Sequence, residues 1–253
     1  MLGRLLRRRR TREAEALAPT PDEFAALIAA WPCLQRLDAD QRKRLRTLTG
    51  QVLARFEFHG AGGLAPDRAD CLPVAVHAAL PILNRGLDWY RDFRTFILYA
   101  DEFEVELEET DEDGLVHRGR DLRAGEAWEL GPVVLSLADV AESGQGQGFH
   151  VVVHELAHQI DRLSGDIDGA PPLPRGLAHA DWVRTLTAAW DRLHADLEAG
   201  REPFLDPYAA ESPAEFFAVA CEAFFDVPVG LRAKEPELYR VLSHLFDQDP
   251  AVH

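Results

Sequence analysis

Two histidines four residues apart, His154 and His158, stand in the run FHVVVHELAHQIDRLSG. On an α-helix, positions i and i+4 are about 40° apart in azimuth and roughly 6 Å apart along the axis, so both imidazoles can reach one ion. Glu155 lies on the neighbouring face, beside that ion. HExxH therefore reads as two metal ligands with a carboxylate free to act as general base, the chemistry of zinc-dependent hydrolysis. Val151, Val152 and Val153 precede it, and Leu156, Ala157 and Ile160 fill its gaps, so the helix is expected to be mostly buried. Imidazoles in so apolar a helix need partners to offset their desolvation, and a metal supplies them.

A catalytic zinc site takes three protein ligands and keeps a position open for water. The pattern HExxHxxGxxH would require His at 164, but Ser164 stands there and Asp161 replaces the Gly, which excludes a metzincin. Asp161, at i+7 from His154 and i+3 from His158, shares their face and is better placed to support a His than to ligate. The downstream candidates are Glu211, Glu215 and Glu222 in YAAESPAEFFAVACEAFF. Glu215 and Glu222 are seven apart on one helical face, which suits one ligand and one supporting residue. Glu215 fits a second part as well. Ser212-Pro213-Ala214-Glu215 is a capping box with Pro at N1, in which the Glu would bond the N-cap amide of its own helix. Local pattern leaves both open.

Several elements must position these residues. Phe24, Leu27, Ile28 and Trp31 recur at helical spacing from Pro21, Leu37, Leu45, Leu48 and Val52 continue to Leu53, and Pro32 breaks between the two. HGAGGLAP, within Phe56 to Pro66, reads as a loop. Asp70 to Leu83 is an apolar helix with His77 inside it as a satisfied core residue. From 95 to 140 the period changes to that of strands, at 95–100, 103–109, 115–122 and 132–140, with Asp111-Glu112-Asp113-Gly114 as a hairpin turn between the second and third. The acidic run there lacks the spacing of a Ca²⁺ loop and is a solvated strand face. Glu142 to Phe149 is a Gly-rich turn feeding the HELAH helix, which should end at Ser164-Gly165 with Gly in a left-handed C′ position. Residues 165–178 form a Gly/Pro/Asp loop. Helices are expected from Asp181 to Leu197, Pro213 to Phe225 and Glu235 to Phe246.

The chain has 253 residues, 47% of them hydrophobic, and a net charge of −16, a balance that argues against direct nucleic-acid binding. No apolar run is long enough to span a bilayer. Residues 1–12 carry six Arg and no acid, so 1–18 is expected to be a flexible basic arm on an acidic body, able to touch anionic lipid or that body itself. No apolar stretch of signal-peptide type follows it. Cys33, Cys71 and Cys221 have neither disulfide nor thiolate-zinc spacing and read as small buried hydrophobes in a reducing, cytoplasmic compartment.

VVVHELAHQID, the SGDIDGAPPLP loop, the GPVVLSLADV strand, SPAEFFAVACEAFF and the closing FDQDP together resemble the Mlc titration factor A family of bacterial zinc metallopeptidases over most of residues 20–250. In that family, and in the similar catalytic domain of anthrax lethal factor, a Tyr precedes the ligand Glu by seven positions. That spacing selects Tyr208 and Glu215 here. The resemblance implies one Zn²⁺ per chain held by His154, His158 and Glu215, with Tyr208 as donor to the transition state. It also implies an α+β fold of gluzincin type, with a small mixed sheet packed on the HExxH helix and further helices at both ends. A single metallopeptidase domain would cover 19–253, helical over about 20–90 and catalytic over about 93–250. Glu155 would take the proton of the attacking water and pass it to the leaving amine, and Glu222 would orient a ligand His. The implied activity is peptide hydrolysis, with removal of N-terminal residues as its implied mode. The competing expectation is a protein that sequesters a sugar-responsive transcriptional repressor of the Mlc type, with zinc mainly organising the fold.

Overall fold

A computed structural model describes residues 2–101, 106–110, 116–120 and 131–252, the side chains of 2–8, 10, 106–110 and 116–120 excepted. The segment expected as a flexible arm is helical, forming α1 (Leu2–Leu17). α2 (Pro21–Ala30) starts on a capping box: the Thr20 hydroxyl accepts from Glu23 N, and the Glu23 carboxylate accepts from Thr20 N. Trp31 is extended, as a residue before proline prefers, and Pro32 opens the one-turn α3 (Pro32–Gln35). α4 (Ala39–Arg55) has a second box, from Asp38 and Gln41. The end of α1 lies directly against α4, where a Cβ on Gly50 would sit 2.3 Å from the Ala14 carbonyl oxygen.

β1 (Glu57–Gly60) occupies ground read from sequence as loop. α5 (Arg68–Ala79), capped by Asp67 and Asp70, leads on to β2 (Thr95–Tyr99). A hairpin of β3 (Glu106–Thr110) and β4 (Val116–Arg120) pairs antiparallel, Glu108 opposite Arg118. Its turn at 111–114 and the expected acidic face lie outside the described residues. The run 132–140 divides into β5 (Val133–Ser136) and α6 (Leu137–Glu142), because the Ser136 hydroxyl accepts from Asp139 N and starts a helix. The mixed sheet expected from sequence is instead a three-stranded, wholly parallel sheet of order β1-β2-β5, with the hairpin as a separate pair. Phe96 pairs with Val133 and Leu98 with Leu135, and all four are buried.

After a Gly-rich turn come α7 (Val151–Asp161), a 3-10 turn at Arg162–Ser164 and Gly165 at φ 116°. α8 (His179–Glu198), a 3-10 turn at Pro207–Ala210, α9 (Pro213–Asp226), α10 (Pro228–Lys234) and α11 (Pro236–Phe246) complete the chain. α7 buries Val152, Val153, Leu156, Ala157 and Ile160, the apolar set its sequence announces, and packs against both β5 and α9. α9 is buried on nearly every side, with Phe216, Phe217, Phe224 and Phe225 all in the core. The result is a mixed α and β architecture, compatible with a metallopeptidase fold, in which α7 and α9 face each other along their lengths.

Candidate metal centre

α7 turns His154, Glu155 and His158 toward the side its apolar residues leave open, and α9 brings two carboxylates to the same place. Glu215 Oε2 lies 3.1 Å from His154 Nε2 and 3.6 Å from His158 Nε2, and the two imidazole nitrogens are 3.2 Å apart. An ion with bonds of about 2.0–2.1 Å in tetrahedral array sets its ligand atoms roughly 3.3 Å apart. The three atoms match that edge length. Glu215 Oε2 is also buried without a well-formed hydrogen bond, as expected of a lone pair directed at a shared point rather than at a donor. Each of the three side chains keeps 15–17% of its surface exposed, which leaves one side of the cluster open to solvent. The residues present thus fit a metal ion.

Glu215 takes part in its own helix start and in the cluster. Ser212 Oγ accepts from Glu215 N at 3.2 Å, so half of the capping box forms. The Glu215 carboxylate does not return to the N-cap amide but turns to the two histidines. Burial raises its pKa, but the neighbouring imidazoles outweigh this and hold it well below the usual carboxylate range.

Glu222, two turns further along α9, accepts from His154 Nδ1 at 2.8 Å with one oxygen and from the His150 backbone N–H with the other. Burial opposes a charge on His154, yet the carboxylates of Glu215 and Glu222 on its two nitrogens push its pKa up to about 10 in the metal-free protein. Burial raises the Glu155 carboxyl, against the pull of His154 and His158. Such a carboxyl is poised to exchange protons nearer neutral pH than a solvated one. Tyr208, in the 3-10 turn before α9, sits with its ring 6.1 Å from that of His154, and Asp206 caps the turn by accepting from Tyr208 N.

Asp161 is fully buried, and burial lifts its carboxyl to about 6. One of its oxygens accepts from Gly169 N at 2.7 Å, which anchors the 165–178 loop rather than His158. Its other oxygen and His158 Nδ1 are both buried without hydrogen-bond partners. The loop is pinned a second time by Trp182 Nε1, which donates to Gly169 O. Gly169 has φ 80°, and a Cβ there would meet the Pro213 carbonyl oxygen at 2.6 Å, at the first turn of α9.

His150 escaped the sequence reading. It is the N-cap of α7, its ring accepting from Val153 N, and it is wholly buried. The signal was the spacing: His150 is four residues before His154, as His154 is before His158. Asp226 was also missed. Its carboxylate accepts from Gly146 N and Gly148 N, so the end of α9 fixes the turn that enters α7.

A family model described as glucose-regulated metallo-peptidase M90 matches residues 5–247 of the chain. The chain is 37% identical over 242 residues to the Mlc titration factor A of Serratia proteamaculans (strain 568), covering 94% of this chain and 90% of that protein. It is 33% identical over 239 residues to that of Cronobacter sakazakii (strain ATCC BAA-894), covering 94% and 89%, and 32% identical over 225 residues to that of Escherichia fergusonii, covering 88% and 85%.

Proposed function

The chain belongs to the glucose-regulated metallopeptidase family M90, and on that premise we propose that it is a zinc-dependent peptidase of gluzincin type whose ion is held by His154, His158 and Glu215. The observation that carries this reading is the convergence of two imidazole nitrogens and one carboxylate oxygen at 3.1–3.6 Å, beside Glu155. Two His and one Glu are a donor set found in catalytic zinc sites, which keep a position free for water. When bound, zinc supplies Lewis acidity to the scissile carbonyl and acidifies the attacking water.

The chain's own residues do the rest. Glu155 takes the water's proton and delivers it to the leaving amine, a transfer its raised pKa favours. Tyr208 donates a hydrogen bond to the developing oxyanion, a contribution on the order of 10² to 10³ in rate where comparable donors are removed. Glu222 holds His154 in the tautomer that leaves Nε2 free to ligate. Asp161 acts on the site through the 165–178 loop, which it holds by accepting from Gly169 N. Action on peptide N-termini in the cytoplasm belongs to the same reading.

Glu155→Gln tests it. The variant should keep one zinc per chain by elemental analysis and lose peptide hydrolysis; turnover near the wild-type rate would remove Glu155 from its role. A second reading is favoured by the relatives' name, Mlc titration factor A, over 88–94% of this chain. In it the protein binds a transcriptional repressor of the Mlc type, and the inactive Glu155→Gln variant should still capture that repressor.

A further inference from the structure

Behind the N-terminus of α7 lies a second group of metal-ligating side chains, from three elements of the fold. Cys33 comes from α3, His77 from α5 and His150 from the N-cap of α7; one potential ligand atom from each lies within 4.8 Å of the others. All three residues are buried, Cys33 to 4% exposure and both histidines to 0%. The group is rich in polar atoms with nothing to bond. Trp31 Nε1, His77 Nδ1, His77 Nε2 and His150 Nε2 are all buried without hydrogen-bond partners. Trp31, His77 and His150 stack edge to face in series, with ring centroids 4.9 and 4.6 Å apart.

Buried polar atoms of native proteins are nearly always satisfied, and a set of orphans in one place signals a missing water or ion. The donors decide between these. Water could bond the imidazole and indole nitrogens, but the thiol is a weak hydrogen-bonding group that such a water would leave largely unused. The thiol and two imidazoles are a good donor set for a thiophilic cation. We propose that Cys33, His77 and His150 form a second metal site, for a single thiophilic d¹⁰ cation, separate from the HELAH centre. Three ligands, with no fourth His, Cys, Asp or Glu in the group among the described residues, suit Cu(I), which is content with three, better than Zn²⁺, which seeks four.

The protonation states agree with loading by exchange of one proton. Burial lowers the pKa of both imidazoles, that of His150 to about 3, so their nitrogens are neutral and able to ligate. Burial, with Asp226 nearby, pushes the Cys33 thiol up to about 12, so the thiol releases its proton to solvent as the metal–sulfur bond forms. His150 Nδ1 accepts from Val153 N at 3.4 Å, longer than a normal hydrogen bond. Ligation through Nε2 moves the ring proton to Nδ1 and gives up that weak cap. An ion here would tie α3 and α5 to the start of α7, one helical turn from His154.

Metal content and X-ray absorption test this on full-length protein carrying one equivalent of zinc. In separate anaerobic arms it is loaded with excess Cu(I) or excess Zn²⁺ and freed of loosely held ion. The expected result is a second equivalent with a sulfur scatterer at about 2.3 Å. It should vanish in Cys33→Ala and persist in Cys71→Ser, the partly exposed cysteine. Glu215→Ala should keep the sulfur-bound ion while losing the first, so failure here is distinguishable from failure of the peptidase reading. No second equivalent in either arm, a second ion without sulfur, or a sulfur-bound ion retained by Cys33→Ala overturns the site. Should Cys33→Ala fail to fold, the wild type and Cys71→Ser decide alone.

Discussion

Glu222 satisfies two donors with one carboxylate, the His154 ring N–H and the His150 backbone N–H. An amide has one acceptor and one donor end, so Glu222→Gln can satisfy only one of them. The variant should bind zinc roughly 10- to 100-fold more weakly in chelator competition; unchanged affinity would mean that packing alone orients His154. His154 carries a second consequence. Its pKa of about 10 in the metal-free protein means that Nε2 bears a proton at pH 8, which ligation must displace. Zinc uptake at pH 8 should therefore release about one proton, read by calorimetry in buffers of different ionisation enthalpy. The raised value also means that the metal-free ion pair stabilises fully below the unfolded His value of about 6.5 and fades as pH rises through about 10. At this scale the sequence was informative about types and silent about direction. HELAH announced its two nitrogens because helical spacing is a local property. Glu215 remained ambiguous because a capping carboxylate and a ligating one have the same local pattern, and the choice depends on α7, a distant part of the chain. Cys33 and His77 read as core residues, which by burial they are, but His77 is not the satisfied one expected, since neither ring nitrogen has a hydrogen-bond partner; their meeting with His150 has no local signature.

Among the elements, the loop 165–178 controls more than its irregular backbone suggests. Asp161 and Trp182 hold Gly169 against the Pro213 carbonyl, at the turn of α9 that presents Glu215. Gly169→Ala adds a Cβ where a backbone oxygen already stands, at a φ that side chains rarely adopt. The expected cost is about 1–3 kcal/mol in denaturant unfolding, with zinc affinity lowered as the start of α9 shifts. A destabilised variant with unaltered zinc affinity would separate the loop from the site. The long helices were legible from their apolar period, and α9 also from its Ser212 cap. β1 was not. Its four residues end in glycine and show little apolar alternation, and only pairing with β2 makes them a strand. α6 was hidden in the same way, because Leu137 to Val140 continues the apolar run of β5 and only the Ser136 cap marks the change.

For the whole molecule, a ligand that binds the folded state alone stabilises it by an amount that grows with the logarithm of its free concentration above Kd. Free zinc at about 100 times its dissociation constant adds roughly 2.7 kcal/mol, worth about 5–10 °C in a domain of this size. Chelation should lower the melting temperature by that amount in the wild type and by much less in Glu215→Ala, as scanning calorimetry would show. The architecture was half visible from sequence: helices at both ends around a small sheet were expected, while the all-parallel order β1-β2-β5 was not, since register between distant strands leaves no mark in any one of them. The pairing of α7 with α9 has a further consequence, for the order in which the protein is made. A ribosome delivers the HELAH segment well before α9, and domains acquire structure from the N-terminal side as they emerge. Until Glu215, Glu222 and Asp226 have left the exit tunnel, the two imidazoles have no carboxylate opposite them and the turn entering α7 has no anchor. A chain stalled or cut short before α9 would therefore carry the HELAH motif with no carboxylate from α9 opposite its two imidazoles, and the candidate site would assemble only once α9 had emerged.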